Sequence, residues 1–292
     1  MAYLIGMICG NGEIKRFTNS TTVSIDIPHK KLETEDFHDV KIYIKASITD
    51  IRVILEPLIG ADLGFIQQTS NSILSFTKPN TDYLIREILR FIGYGSSHEN
   101  IRLDQSILNT TFDERKSFLR GFADVTGYIR RSNYFFQTFK HRVYLEVPHN
   151  WGLVIDVCNL LKSIDIPVQA IDWAHPNIRD GNLTKYNEGN INFWKKEHQI
   201  KIWANEFEPV GFGILHKKSA LSTFADELRF GLKNDGKDVL AATHKFYWEL
   251  RGKSKSKPKH PAENDDFIPQ SIRGKHFDSW REIAKELGYG VN

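Results

Sequence analysis

Only two cysteines, Cys9 and Cys158, occur in 292 residues. Two are too few for a disulfide framework or a zinc site, and a reducing, cytoplasmic setting is expected. Long hydrophobic runs are missing as well. No apolar stretch reaches the ~18–20 residues that cross a bilayer, and the mean hydropathy of −0.39 argues against a membrane protein. The apolar opening, Met1–Cys9, is short and has no basic leader, so no signal peptide is expected. A strong charge of one sign is absent. Net charge is +3 and the isoelectric point about 8.6, a mildly basic balance that on its own points only weakly to nucleic acid. What is present is an ordinary globular composition, 40% hydrophobic, in a chain long enough for one large domain or two smaller ones.

One short pattern occurs twice. The first copy is Tyr3-Leu4-Ile5-Gly6-Met7-Ile8-Cys9-Gly10-Asn11-Gly12-Glu13-Ile14. The second is Phe118-Leu119-Arg120-Gly121-Phe122-Ala123-Asp124-Val125-Thr126-Gly127-Tyr128-Ile129. Each is an apolar stretch holding a glycine, closed by a polar residue, a glycine and an isoleucine. Gly6 and Gly10 are four apart and share a helix face. Glycine inside a helix costs roughly 0.5–1 kcal/mol relative to alanine, so two in one turn imply close backbone packing. Gly121 offers the same feature in the second copy, followed by the bulkier Val125.

The segments after each copy follow one order. In the first half, helix Leu4–Gly10 leads to a strand pair, Glu13–Asn19 and Thr22–Ile27. Val40–Ser47 alternates apolar and polar and predicts a further strand. Thr49 or Asp50 starts a helix to Ile59. Leu63–Thr69 and Ile73–Thr77 predict a second strand pair, and Pro79–Phe91 a helix. In the second half, helix Phe118–Val125 precedes strands Tyr128–Phe135 and Arg142–Val147. Asn150 caps helix Trp151–Ile164, strands Val168–Trp173 and Gln199–Trp203 follow, and Pro209–Phe230 closes the unit with helix. Pro176–Glu197 reads as a polar inserted loop. Two matching units indicate internal duplication, at residues 1–112 and 113–232. Residues 233–292 form an extension, with helix Val239–Leu250, a basic linker Arg251–His260 and a short amphipathic helix Asp278–Leu287. The expected fold is α+β, two tandem αββαββα halves related by a pseudo-two-fold axis, each with an antiparallel sheet.

The doubled pattern resembles the LAGLIDADG family of DNA endonucleases, over roughly residues 1–230. The resemblance implies that the two motif helices pack together through Gly6, Gly10 and Gly121, and that both sheets face duplex DNA. It also implies one metal-binding acid at the end of each helix, with Gly10 and Val125 beside them as further metal-site residues. The matching positions here are Asn11 and Thr126, and neither is charged. Magnesium is a hard ion that prefers charged oxygen ligands. Mg²⁺ is therefore expected only for an active form with Asp at position 11, and the chain as it stands is expected to cleave very poorly. Asn11, Thr126 and Lys78 are the catalytic positions the resemblance implies, and Asp124, the nearest acid in the second copy, joins them as a catalytic candidate, although two helical residues turn it about 200° from Thr126. Lys78, before Pro79, matches the family's active-site lysine, so an Asn11→Asp change is expected to rebuild a site beside it. Ser47 and His149 are expected in the polar ring that orders water.

Alternate side chains of a β-ribbon can reach base edges in the major groove. On that reading the DNA-contacting residues are Lys15 and Asn19, Lys41, Tyr43 and Lys45, and Gln67 and Gln68 in the first half. In the second they are Arg130, Ser132 and Tyr134, then Arg142, Tyr144 and Glu146. Three functions compete: a homing or restriction endonuclease, a DNA-recognition module or regulator without cleavage, and a protein-interaction scaffold. Both halves lie in one chain, so a monomer is expected, with double-stranded DNA as its partner.

Overall fold

The structure, a computed structural model, describes residues 1–34, 40–130, 141–147, 150–175 and 197–230. The tail from 231 and the polar insert at 176–196 therefore lie outside the described residues, as do His149, Ser132 and Tyr134. The elements are helix α1 (Ala2–Asn11), strands β1 (Gly12–Arg16) and β2 (Ser20–Pro28), α2 (Val40–Ile59), β3 (Gly64–Gln67), β4 (Asn71–Pro79) and α3 (Tyr83–Phe91). A small hairpin, β5 (Ile92–Tyr94) and β6 (Arg102–Leu103), links to the second set. That set is α4 (Phe112–Thr126), β7 (Gly127–Arg130), β8 (Arg142–Val147), α5 (Trp151–Lys162), β9 (Ala170–His175), β10 (Glu197–Trp203), α6 (Ala204–Phe207) and α7 (Leu215–Phe230). The fold is α+β, and the order αββαββα occurs twice. The two four-stranded sheets have the same strand order, β1-β2-β4-β3 and β7-β8-β10-β9, and all their pairings are antiparallel.

α1 has no charged residue and is buried from Tyr3 to Gly10. A helix apolar all round belongs inside, and this one packs along α4. The contact is reciprocal. A Cβ at Gly6 would overlap the carbonyl of Phe118, and a Cβ at Gly121 would overlap the carbonyl of Tyr3. Gly6 matches Gly121 in the repeat, and Tyr3 matches Phe118, so each half presents the same glycine to the same carbonyl of the other. Such reciprocity is what a two-fold relation between two helices produces. Each motif helix then turns directly into a strand. At both junctions a Cβ would lie 2.6 Å from a helix carbonyl, Ile8 O beside Gly12 and Ala123 O beside Gly127. Both glycines have extended backbones (φ −111° and −99°), so close approach, not a left-handed turn, requires them. α4 starts with a full capping box of Thr111 and Glu114 and, apart from Arg120, is buried from Phe118 onward, where α1 meets it.

One expected strand is a helix. Val40–Ser47 forms the first two turns of α2, although its alternation also suits a strand. Tyr43, Ile44, Ser47, Ile48, Ile51, Leu55 and Ile59 are all buried, at spacings of three and four that continue unbroken through position 48. No turn residue separates the supposed strand from the helix behind it, so the longer period wins. The DNA-facing strand assigned to Lys41, Tyr43 and Lys45 therefore does not exist. Lys41 and Lys45 are on the exposed side of α2. Tyr43 is 2% exposed, and its hydroxyl donates to Glu33 Oε1 at 3.3 Å. Ser47 is buried and bonds back to Tyr43 O at 2.7 Å, which removes it from any polar ring.

The halves share one apolar core. They are also tied by polar contacts. Arg102 forms two bonds to the Asp156 carboxylate on α5, at 2.6 and 2.7 Å. Asn150 caps α5 and donates to His98 O and Ile101 O in the connecting segment. No helix among the described residues is long and apolar enough to cross a membrane.

Candidate nucleic-acid interface and the motif-helix ends

The ends of α1 and α4 carry no charged ligand. Asn11 turns its amide inward, and Nδ2 donates to the backbone carbonyl of Asp26 at 2.8 Å. Thr126 is 2% exposed, and its hydroxyl donates back to Phe122 O at 2.7 Å. Gly10 and Val125 sit in the helix contact itself. A Cβ at Gly10 would come within 2.6 Å of Val125 Cγ2 and 2.9 Å of Thr126 Cγ2. Thr126 thus fills the space over Gly10 with its methyl group and uses its hydroxyl to close its own helix.

Asp124 is buried beneath the interface, not presented at it. Its carboxylate accepts from Tyr3 OH at 2.6 Å and from the Gly213 amide at 2.8 Å. Burial raises its pKa, opposed by the charge of Lys217 and by these bonds. Tyr3 is pushed up in turn, by burial first and then by Asp124. Asp124 therefore locks the α6–α7 connection to both motif helices, a buried and bonded position unlike that expected of a catalytic acid.

Lys78 is not near Asn11. Along the β2–β4 ladder, Asp26 pairs with Ile73 and Lys78 pairs with Thr21. Five residues of strand separate the two positions, roughly 17 Å. Lys78 also shares its parity with the core-facing Leu74 and Phe76, and it is bonded to Asp62. An Asn11→Asp change would accordingly have no lysine beside it from this strand.

The sequence reading missed Lys217. This α7 side chain is fully buried, and its ammonium donates to the carbonyls of Ala123, Asp124 and Gly127 at 2.9–3.2 Å. It caps the C-terminal end of α4, where the helix dipole favours a cation. Burial pushes its pKa down to about 8, with Asp124 pulling the other way. Asp50 on α2 accepts from the Leu215 amide at 2.8 Å, and His216 bonds Leu32 O, so the first turn of α7 is held from both halves. No local signal in the sequence marks Lys217, since its partners lie about ninety residues upstream.

Two further acids occupy matching positions. Asp26 follows the partner of Gly12, and Glu146 follows the partner of Gly127. Asn71 Nδ2 donates to Asp26 Oδ1 at 2.7 Å. Glu146 accepts from Tyr128 OH and Gln199 Nε2, both at 2.8 Å, and pairs with Lys31. These residues do not fit a divalent ion. The motif ends supply one inward amide and one tied-back hydroxyl, Glu146 already carries a cation, and no cluster of three or more His, Cys, Asp or Glu side chains is placed for a metal among the described residues.

The outer faces of the two sheets differ in kind. On the first, Thr22 bonds Thr77 at 2.8 Å across the strands, and Ser24 stands opposite Ser75. Lys15 lies there too, bridged to Glu13 at 3.1 Å. Asn19 is in the β1–β2 turn, where its carbonyl accepts from the Asn80 amide. Gln67 pairs with the core-parity Ser72, and the Gln68 amide closes the β3–β4 turn on Asn71 O. On the second sheet, Arg130 faces Arg142, Tyr144 faces Lys201, and Glu146 faces Gln199. The structure thus brings Arg130, Arg142, Tyr144 and Glu146 onto one face, and adds Tyr128, Lys201 and Trp203; Glu146, Gln199 and Lys201 are buried there, and the arginines and aromatic rings are half-buried. Arg130 lies over the Tyr128 ring at 4.4 Å, Arg142 over Trp203 at 4.4 Å, and Tyr128 stacks on Tyr144 at 5.1 Å. The alternation Gln199-Ile-Lys201-Ile-Trp203 carried the signal for the last two residues.

No family model matches the chain, and no curated protein matches it. Among solved structures, the homing endonuclease I-DmoI in complex with DNA and Mn is 13% identical, over 74% of this chain and 93% of that one, with a TM-score of 0.37. The LAGLIDADG homing endonuclease I-GzeII in complex with its DNA target is 9% identical, over 88% and 99%, with a TM-score of 0.39. The LAGLIDADG meganuclease I-CpaMI bound to uncleaved DNA gives 9%, 87% and 98%, and 0.36. Likenesses of this size are too distant to assign an activity to this chain.

Proposed function

We propose that this protein binds duplex DNA in a sequence-dependent way and does not cleave it efficiently. The observation that carries the binding part is the second sheet's outer face, where the half-buried Arg130 and Arg142 lie beside the Tyr128, Tyr144 and Trp203 rings on adjacent antiparallel strands. A ribbon of this kind has the width and side-chain spacing for the major groove. The two units, residues 1–112 and 113–232, would each lay a sheet along the duplex, with the motif helices between them. The non-cleaving part rests on Asn11 and Thr126. Metal-assisted hydrolysis needs charged oxygen ligands at the phosphate, and both side chains are neutral and bonded internally. The endonuclease reading, with Mg²⁺ as cofactor, requires acids from elsewhere in the chain.

The test is a gel-shift titration against a pool of random duplexes, with selection of bound sequences. Binding is expected to fall steeply with salt, because cations that meet phosphates release counterions. Replacing Mg²⁺ by EDTA at constant ionic strength is expected to leave affinity within about threefold, since no metal bridges protein and phosphate. Failure to retain any duplex at low salt would remove this function and leave the protein-scaffold reading.

A further inference from the structure

The like-charged pair on the second sheet calls for a partner. Arg130 and Arg142 stand directly opposite each other on β7 and β8. Like charges in that relation destabilise an antiparallel pair. The arrangement is nevertheless held open in a defined geometry. Arg130 lies on the Tyr128 ring and Arg142 on the Trp203 ring, so the two guanidinium groups rest on separate aromatic faces. Both arginines are half-buried, and Nε of Arg142 is itself buried with no hydrogen-bond partner among the described residues. A stacked guanidinium directs its terminal N–H donors away from the strand in the plane of the ring, and those two donors match the O6 and N7 acceptors of guanine or two oxygens of a phosphate.

The first sheet offers nothing comparable. Its outer face carries the Thr22–Thr77 and Ser24–Ser75 positions, with Lys15 bridged to Glu13 and the acid Asp26 close to the motif-helix end. Serine and threonine accept either base, and the local charge does not attract phosphate.

We propose that DNA recognition by this protein is lopsided, with the Arg130–Arg142 pair as a guanine-reading anchor in the second half and a weakly discriminating hydroxyl face in the first. The inference rests on the duplex-binding function proposed above. It predicts an asymmetric target in which one half-site contains adjacent guanines and dominates affinity. Duplex DNA is favoured over a single strand because the Tyr128 and Tyr144 rings are stacked on each other and on cations, which leaves them ill-placed as base platforms.

The experiment uses the full chain and duplexes selected from a random pool. Base substitutions are scanned across both half-sites for the wild type, Arg130→Gln, Arg142→Gln and Lys15→Gln, with thermal unfolding of each variant to confirm folding. Each arginine change is expected to weaken binding about 10–100-fold and flatten discrimination at one guanine. Lys15→Gln is expected to cost less than about threefold. Arg130→Lys keeps the charge and the fold, and should retain the salt slope while losing guanine discrimination. Sequence-dependent duplex binding with equal penalties in the two half-sites, or with no guanine requirement, would overturn the inference while leaving the proposed function intact. Tighter binding to single strands than to duplexes would overturn both.

Discussion

Replacing Gly6 by alanine is expected to destabilise the protein by roughly 3 kcal/mol or more, at the upper end of overpacking costs. The added Cβ would overlap the Phe118 carbonyl and come within 2.9 Å of the Phe122 nitrogen. Both obstacles are backbone, so no rotamer change relieves them. α1 and α4 must separate, and the apolar residues on both sides lose contact. Gly121→Ala should cost a similar amount, because it meets the Tyr3 carbonyl from the other side. Gly93→Ala is the control. Its nearest new contacts are 3.5–3.6 Å away, which is ordinary packing, and it should cost less than about 1 kcal/mol. Urea denaturation of the three variants checks this. Equal stabilities for Gly6→Ala and Gly93→Ala would mean that the motif helices do not meet through their glycines.

The second large effect is expected at Lys217. Methionine has a similar length and no donors. Lys217→Met would leave the Ala123, Asp124 and Gly127 carbonyls without the ammonium that now reaches all three. A buried acceptor left unsatisfied costs roughly 1–3 kcal/mol. The dipole at the end of α4 also loses its cation, and Asp124 loses the nearby charge that favours its ionised form. The same residue gives a pH signature. Burial lowers its native pKa to about 8 from an ordinary value of 10.5. Between those values the unfolded chain holds a proton that the native state has released, so this group's contribution to stability rises with pH across that window. Denaturation of wild type and Lys217→Met at pH 7.5 and 9.5 isolates it. The wild type should gain stability relative to the variant at the higher pH, and parallel behaviour would contradict the buried cap.

The architecture was largely legible in the sequence because its signals are local. Paired glycines in apolar helices, an adjoining glycine and β-branched alternation marked α1, α4, β1, β2 and β4 without knowledge of any contact. α2 was misread over Val40–Ser47 because a run with apolar residues at 40, 42 and 44 satisfies two periods at once, and only burial at 47, 48 and 51 decides between them. The site was less legible because it depends on register and distance. Lys78 precedes a proline as the family pattern asks, yet the β2–β4 ladder places it five residues from Asp26. Asp124 looked like a spare acid, and only its bonds to Tyr3 and Gly213 show it to be an anchor. That Arg130, Arg142, Tyr144 and Glu146 share one face was legible because strand alternation is readable. Lys31 was not, since it reaches Glu146 from the other half of the chain.

Duplex binding uncoupled from cleavage is tested most directly on a single sample. A selected duplex, labelled separately on each strand, is incubated with the protein in Mg²⁺, and the same sample is run on native and denaturing gels. The account predicts a salt-sensitive shifted complex on the native gel and two intact strands on the denaturing gel. Prompt breakage of either strand at a defined position would contradict it, and would place the catalytic acids somewhere other than the ends of α1 and α4.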